Sequence, residues 1–344
     1  MKTAVIICPG RGTYGKAELG TLGRHFKDPA LLAYFDARRA ALGQETLTAL
    51  DSAATYSVAR HTRGDNASAL IYAATIADFA ALQDVEILAV TGNSMGWYSA
   101  LACAGALSPE NGFEVVNTMG TLMQTHLIGG QLIHPFMDEA WQPNPARKAE
   151  LLAITADINT RPDHTLALSI NLGGMLVLAG NVAGLAAFEA TVPPEQFRFP
   201  MRLQNHAAFH TALQMPVAAE GRTKLPATLF TQPKHPLIDG RGAIWWPHAT
   251  DTNALWDYTL GHQVTEHYDF THAIAIAARE FAPDLFIIPG PGTTLGGATA
   301  QSLILANWQG MASKSDFQTA QHATPFLISM GMDDQRALVT GVSP

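Results

Sequence analysis

Three short apolar runs, each stopped by glycine, constrain this chain more than any other feature. They are Ala4-Val5-Ile6-Ile7-Cys8 before Pro9-Gly10-Arg11-Gly12, Ile87-Leu88-Ala89-Val90-Thr91 before Gly92, and Leu285-Phe286-Ile287-Ile288 before Pro289-Gly290-Pro291-Gly292. Runs that are apolar throughout, rather than at alternate positions, suit parallel strands covered by helices on both faces. An α/β fold with a mostly parallel sheet is therefore expected, with ligand chemistry at the carboxyl ends of those strands. The 344 residues, 47% hydrophobic and 15% charged, suffice for a sizeable core and exclude disorder or a coiled coil as a description of the whole chain.

Charge and apolar length narrow the partners. Lys and Arg total 21 against 29 Asp and Glu, a net charge of −8, and no basic run occurs, so nucleic acid is not expected. The apolar runs are strand-sized, far below the ~20 residues of a membrane helix, so no membrane span is expected. No apolar leader precedes the first run, and Cys8 and Cys103 make no redox or metal pattern. A cytoplasmic chain with reduced thiols and no appended domain is the expectation.

Between residues 130 and 204 the pattern changes. Strand-like runs at 165–170 and 175–179 flank Gly173-Gly174, a helical stretch follows at 184–190, and 198–203 reads as extended. This predicts a small α+β insertion at 130–204 within a core made of 1–129 and 205–310. Residues 257–280 read as mostly helical, and 311–344 form a C-terminal extension without assignable periodicity.

The chemistry concentrates at Gly92-Asn93-Ser94-Met95-Gly96, between the 87–91 strand and a helix expected over 97–106. In that setting the pattern is a nucleophile elbow, a tight turn that lifts a serine hydroxyl above the sheet at a helix N-terminus. Ser94 is the expected nucleophile, with the helix N–H groups suited to an oxyanion. The base must come from 13 histidines, and spacing alone leaves His206 and His210 equal. A metal reading of that pair is weak: no carboxylate follows at ligand spacing, and His262, His267 and His272 do not share a helical face. A Ser–His–Asp triad using Asp138, Asp157 or Asp163 stays open, although none sits in a recognisable strand-end context.

These residues resemble the malonyl-CoA:acyl-carrier-protein transacylase family, the acyltransferases of fatty-acid and polyketide synthesis. The resemblance runs from about residue 4 to about residue 300. It rests on Pro9-Gly10-x-Gly12, Gly92-x-Ser94-x-Gly96-x-Tyr98-Ser99-Ala100-Leu101 and Ala104-Gly105-Ala106-Leu107-Ser108. It continues through 171–180, Phe209-His210-Thr211-x-Leu213, Gln263 ahead of Phe270, and Gly290-Pro291-Gly292. It implies a hydrolase-like core with an inserted ferredoxin-like subdomain, and a Ser94–His210 dyad in the cleft between them. An acyl group would pass from CoA to Ser94 and then to the phosphopantetheine thiol of an acyl carrier protein, without metal or cofactor. A main-chain carbonyl near Gln263 would orient His210, and the N–H groups of Met95 and Arg11 would form the oxyanion hole.

The departures from the family bear on the acyl group. Met119 stands where the family's carboxylate-binding arginine stands, and a thioether cannot replace a guanidinium there. Asn93, Trp97 and Met175 replace a histidine, a glutamate and a glutamine, and with Asn171 they complete the expected acyl pocket. An uncharged acyl group is therefore predicted. Met119 also belongs to a plain buried-face stripe with Phe113, Val116 and Met123. Arg11 replaces a glutamine, and its side chain is left between solvent, a CoA phosphate and an acyl carboxylate. Loss of the arginine also raises an acyl thioester hydrolase on the same scaffold, and a carrier-protein or CoA-binding module without chemistry is a third reading.

Overall fold

The computed structural model describes residues 1–341, and the last three residues of the 311–344 extension lie outside it. The three apolar runs form β1 (Lys2–Cys8), β2 (Val85–Gly92) and β10 (Leu285–Ile288). They are parallel neighbours at the centre of a six-stranded sheet in the order β11-β10-β1-β2-β7-β8. The flanking strands are β7 (Leu237–Ile238), β8 (Ile244–Trp245) and β11 (Leu327–Ser329), and only the β7–β8 pair is antiparallel. Ala4 through Cys8 are fully buried, as a strand covered on both faces requires. The helix Gly64–Ala80, buried from Gly64 through Asp78, packs closely on the helix Pro109–His126.

The insertion follows the order strand, helix, two strands, helix, strand. These are β3 (Gly130–Pro135), the helix Pro145–Asn159, β4 (Leu166–Leu172), β5 (Met175–Gly180), the helix Val182–Thr191 and β6 (Met201–Leu203). Their sheet runs β6-β3-β5-β4 with antiparallel neighbours, and β9 (Tyr268–Asp269) adds in parallel beside β4. Asn144 and Asn181 cap the two helices by accepting from Arg147 N and Gly184 N, and Pro145 pre-sets the first turn of the longer one. The two sheets therefore share chain from outside 130–204.

The segment 257–280 is mostly helical, as expected, but not continuously so. Between the helices Thr252–Leu260 and Phe270–Phe281 the chain turns through the short helix His262–Thr265 and then forms β9. The C-terminal segment is also structured: β11 extends the main sheet beside β10, and the helix Asp333–Thr340 follows it. Three residues of strand are too few to leave a period in the sequence. Among the described residues, no helix is long and apolar enough to cross a membrane.

That C-terminal helix is anchored by charge. Arg336 pairs with Asp78 on the helix Gly64–Ala80, and Asp78 also accepts from Gly290 N at 2.8 Å. Burial pushes the Asp78 carboxyl upward, and Arg336 and the Gly290 amide oppose that shift. We expect Arg336→Leu to lose about 3–5 kcal/mol in denaturant unfolding, because Asp78 is left buried and unpaired. A loss below about 1 kcal/mol would show that the pair does not anchor the segment.

Candidate active site

The elbow forms because three backbone segments meet without side chains between them. A Cβ at Gly92 would run into the Gly96 carbonyl, and one at Gly96 into the Cys8 carbonyl at the end of β1. The turn holds Ser94 at φ 55°, a left-handed conformation unusual for a residue with a side chain. Met95 then caps the helix Gly96–Cys103, which starts one residue before the expected position and ends before Ala106. The Tyr268 hydroxyl donates to the Gly92 carbonyl and braces the turn from β9.

His210 also has a left-handed backbone, φ 58°, with its amide donating to the Val264 carbonyl at 3.0 Å. Its Nδ1 lies 2.6 Å from the Gln263 carbonyl and its Nε2 lies 2.8 Å from Ser94 Oγ. A carbonyl can only accept, so the proton sits on Nδ1 and Nε2 accepts from the serine hydroxyl. Burial lowers the His210 pKa to about 4, the Gln263 carbonyl opposes that shift, and His267 and His262 add to it. The ring is therefore neutral near pH 7 and poised to take a proton.

Gln263 has a second part that the sequence did not signal. Its side-chain amide donates to the Ser94 carbonyl at 3.0 Å, and its side-chain oxygen accepts from the Tyr98 hydroxyl at 3.1 Å. One residue thus joins the serine turn to the histidine loop. Tyr98 lies one helical turn beyond Ser94, a spacing visible in the sequence but without meaning until Gln263 is placed. Asp138, Asp157 and Asp163 are all exposed, and the Nδ1 partner of His210 is a carbonyl, so none of them completes a triad. His206 turns its Nδ1 to the Gln131 side-chain oxygen at 2.8 Å rather than to Ser94.

Ser94 and His210 open on a cavity of about 540 Å³ between the two sheets. Met95 and Arg11, whose amides were expected at the oxyanion, line it, as do Asn93, Met119 and Met175. Asn93 Oδ1 is buried without a partner. Phe113, Val116, Met119 and Met123 are all buried, so Met119 is both part of the helix stripe and part of the wall.

Two expected pocket residues lie elsewhere. Trp97 points away from the cavity, fully buried, with its indole N–H on Thr259 Oγ1 at 3.0 Å and its ring edge-on to Tyr258. Successive positions on a helix face different directions, so adjacency to the elbow did not put it beside Ser94. Asn171 instead joins Lys148, 3.0 Å from its side-chain oxygen, to Asp269, 2.9 Å from its amide. Trp141, Met123 and His206 line the cavity and were not expected there.

The Arg11 side chain is half-buried and held by protein groups. Its Nη2 donates to the Thr62 carbonyl at 2.7 Å, its Nη1 meets Met123 Sδ at 2.8 Å, and its Nε is buried without a partner. Desolvation lowers its pKa to about 10, with nearby Asp65 opposing the shift. It remains a cation at neutral pH.

This fold and cleft define the class to which the chain is structurally similar, the acyl-carrier-protein acyltransferases. The malonyl CoA-acyl carrier protein transacylase of Coxiella burnetii matches with a TM-score of 0.74 at 18% identity, covering 98% of this chain and 96% of that one. No family model matches. The non-reducing polyketide synthase CTB1 of Cercospora nicotianae is 31% identical over 155 residues, 45% of this chain and 7% of that protein. The malonyl CoA-acyl carrier protein transacylase of Salmonella typhimurium is 24% identical over 213 residues, 61% of this chain and 64% of that protein. The match therefore spans less than two thirds of either relative's length. The resemblance carried by the motifs is borne out, since structural neighbours are malonyl transacylases and polyketide-synthase acyltransferase domains.

The low pKa of His210 fixes a pH response. A neutral ring is required to take the serine proton, so labelling of Ser94 by a fluorophosphonate probe should stay level down to about pH 5 and fall with a midpoint near 4. A midpoint near 6.5, the ordinary histidine value, would mean that burial does not hold the ring neutral.

Proposed function

We propose that the protein is an acyltransferase that moves an acyl group from CoA to the phosphopantetheine thiol of an acyl carrier protein through acyl-Ser94. The 2.8 Å contact between Ser94 Oγ and a His210 whose other nitrogen is fixed by a carbonyl is the observation that carries this reading. Ser94 Oγ attacks the thioester carbonyl as its proton passes to His210 Nε2. The new oxygen–carbon bond forms, the carbon–sulfur bond breaks, and His210 returns the proton to the departing CoA thiolate. The carrier's thiol then repeats the sequence in reverse, giving its proton to His210 and releasing Ser94. The amides of Met95 and Arg11 hold the oxyanion, and Gln263 orients the histidine.

The division of labour follows the fold. Residues 1–129 and 205–310 act as the hydrolase-like core, 130–204 as a ferredoxin-like unit whose strand–helix–strand–strand–helix–strand order supports that description, and 311–344 as the extension. The cytoplasm is the proposed location, in keeping with two free, buried cysteines. Met119 leaves the wall reached by the family's arginine apolar and puts malonyl specificity in doubt. It also favours the second reading, an acyl thioester hydrolase, because water competes with the carrier thiol for the same acyl-serine. The 2.8 Å serine–histidine contact at the cavity weighs against a module without chemistry.

The test is product partition. With acyl-CoA and a phosphopantetheinylated carrier protein, we expect most acyl groups on the carrier thiol and little free acid. Ser94→Ala should lower transfer at least about 1000-fold. Free acid as the main product would support the hydrolase, and transfer by Ser94→Ala at the wild-type rate would end both readings.

A further inference from the structure

The peptide unit that joins Ser94 to Met95 is held from one side only. Its carbonyl accepts from the Trp97 amide at 3.0 Å and from the Gln263 side-chain amide at 3.0 Å. Its N–H, that of Met95, finds no acceptor among the described residues, and Met95 lines the cavity. Carbonyl and N–H share one rigid plane, so whatever holds the carbonyl also aims the N–H. Donation to the carbonyl also draws density from the nitrogen and makes the N–H a better donor, by about 10–30% per bond. The Trp97 bond comes with the helix Gly96–Cys103 that starts at the elbow. The Gln263 bond comes from a distant part of the chain and needs an explanation of its own.

A carbonyl can only accept, so Gln263 turns its NH2 to Ser94 and its side-chain oxygen to Tyr98. The Tyr98 hydroxyl must then be the donor in their 3.1 Å contact. Burial raises the Tyr98 pKa, so the hydroxyl keeps the proton that this bond uses. Both residues are buried, and without that donor the Gln263 oxygen would lose its partner away from bulk water. Gln263 itself sits in the helix His262–Thr265, whose four residues are too few to be stable alone. Its main-chain carbonyl holds His210, while its side chain holds the Ser94–Met95 peptide.

We propose that Tyr98 and the Gln263 side chain are positioning residues for the oxyanion. The Tyr98 hydroxyl sets the Gln263 amide, and the amide sets the Ser94–Met95 peptide. That peptide presents the Met95 N–H to the charge that develops on the thioester oxygen. This role is separate from the orienting of His210, which uses the Gln263 main chain, and it rests on the acyl-serine reading given above.

The experiment compares two CoA thioethers, S-trifluoroacetonyl-CoA and S-(3,3,3-trifluoropropyl)-CoA. Ser94 Oγ adds to the ketone carbon of the first, its proton passes to His210, and the ketone oxygen becomes an anion at the oxyanion amides. The second has CH2 in place of the carbonyl and forms no such adduct. Tyr98→Phe removes one oxygen atom, and Gln263→Met removes both side-chain hydrogen bonds while keeping the main-chain carbonyl. We expect ketone affinity to fall on the order of 10-fold in Gln263→Met and about threefold in Tyr98→Phe, with the carbonyl-free thioether within about twofold of wild type. The kcat of acyl transfer should fall in parallel while KM stays within about twofold. The midpoint of Ser94 labelling near pH 4 should stay in place, because the Gln263 carbonyl still holds His210. Tyr98→Phe carries the test where Gln263→Met does not fold. Unchanged ketone affinity in Tyr98→Phe, or equal weakening of both thioethers, would overturn the proposal and leave the acyl-serine reading standing. A wild-type protein that forms no Ser94 adduct with the ketone would overturn both.

Discussion

Everything at the cleft depends on how closely the backbone can pack where β1 ends. Gly96 rests on the Cys8 carbonyl and Gly92 rests on Gly96, so the chain leaving β2 can turn back only through a left-handed Ser94. That forced conformation lifts the hydroxyl clear of the sheet and starts a helix directly behind it. The Cys8 carbonyl that Gly96 meets ends a strand that is fully buried from Ala4 through Cys8. Tyr268 adds a hydrogen bond to the Gly92 carbonyl from the neighbouring sheet.

The histidine side is built by the same means. A second left-handed residue, His210, is pinned by the Val264 and Gln263 carbonyls, and the Gln263 side chain reaches back to the Ser94 carbonyl. The separation between hydroxyl and imidazole is thus set by backbone contacts through one glutamine. A neutral carbonyl in place of a carboxylate leaves the ring's pKa low, since nothing there stabilises an imidazolium strongly. The ring is therefore uncharged near neutral pH.

Much of the core was legible because its strands are wholly apolar. Residues 285–288 form β10 at the expected limits, and β1 and β2 exceed theirs by a few residues. The strands β7, β8, β9 and β11, of two or three residues each, left no pattern that was read, whereas the three-residue β6 falls within the expected extended 198–203. In the cleft, Ser94 was marked by its glycines and His210 only by the family resemblance. Trp97 and Asn171 were misplaced because adjacency in sequence does not say which way a side chain points. The place of the Arg11 guanidinium was undecidable from sequence, because its contacts are with Met123 and Thr62, distant in the chain.

The cleft therefore combines a serine–histidine pair with a wall of mixed character, apolar at Met119, Met123 and Met175 and polar at Asn93, Gln131 and the half-buried Arg11. Its chemistry stands or falls on whether the acyl group becomes bonded to Ser94. The direct measurement is to quench the protein in acid during turnover of an acyl-CoA, digest it, and sequence the acylated peptide by tandem mass spectrometry. We expect the acyl mass on Ser94 alone, and its absence from Ser94→Ala. Product formation with no acylated peptide, or an acyl group on a different residue, would contradict the assignment.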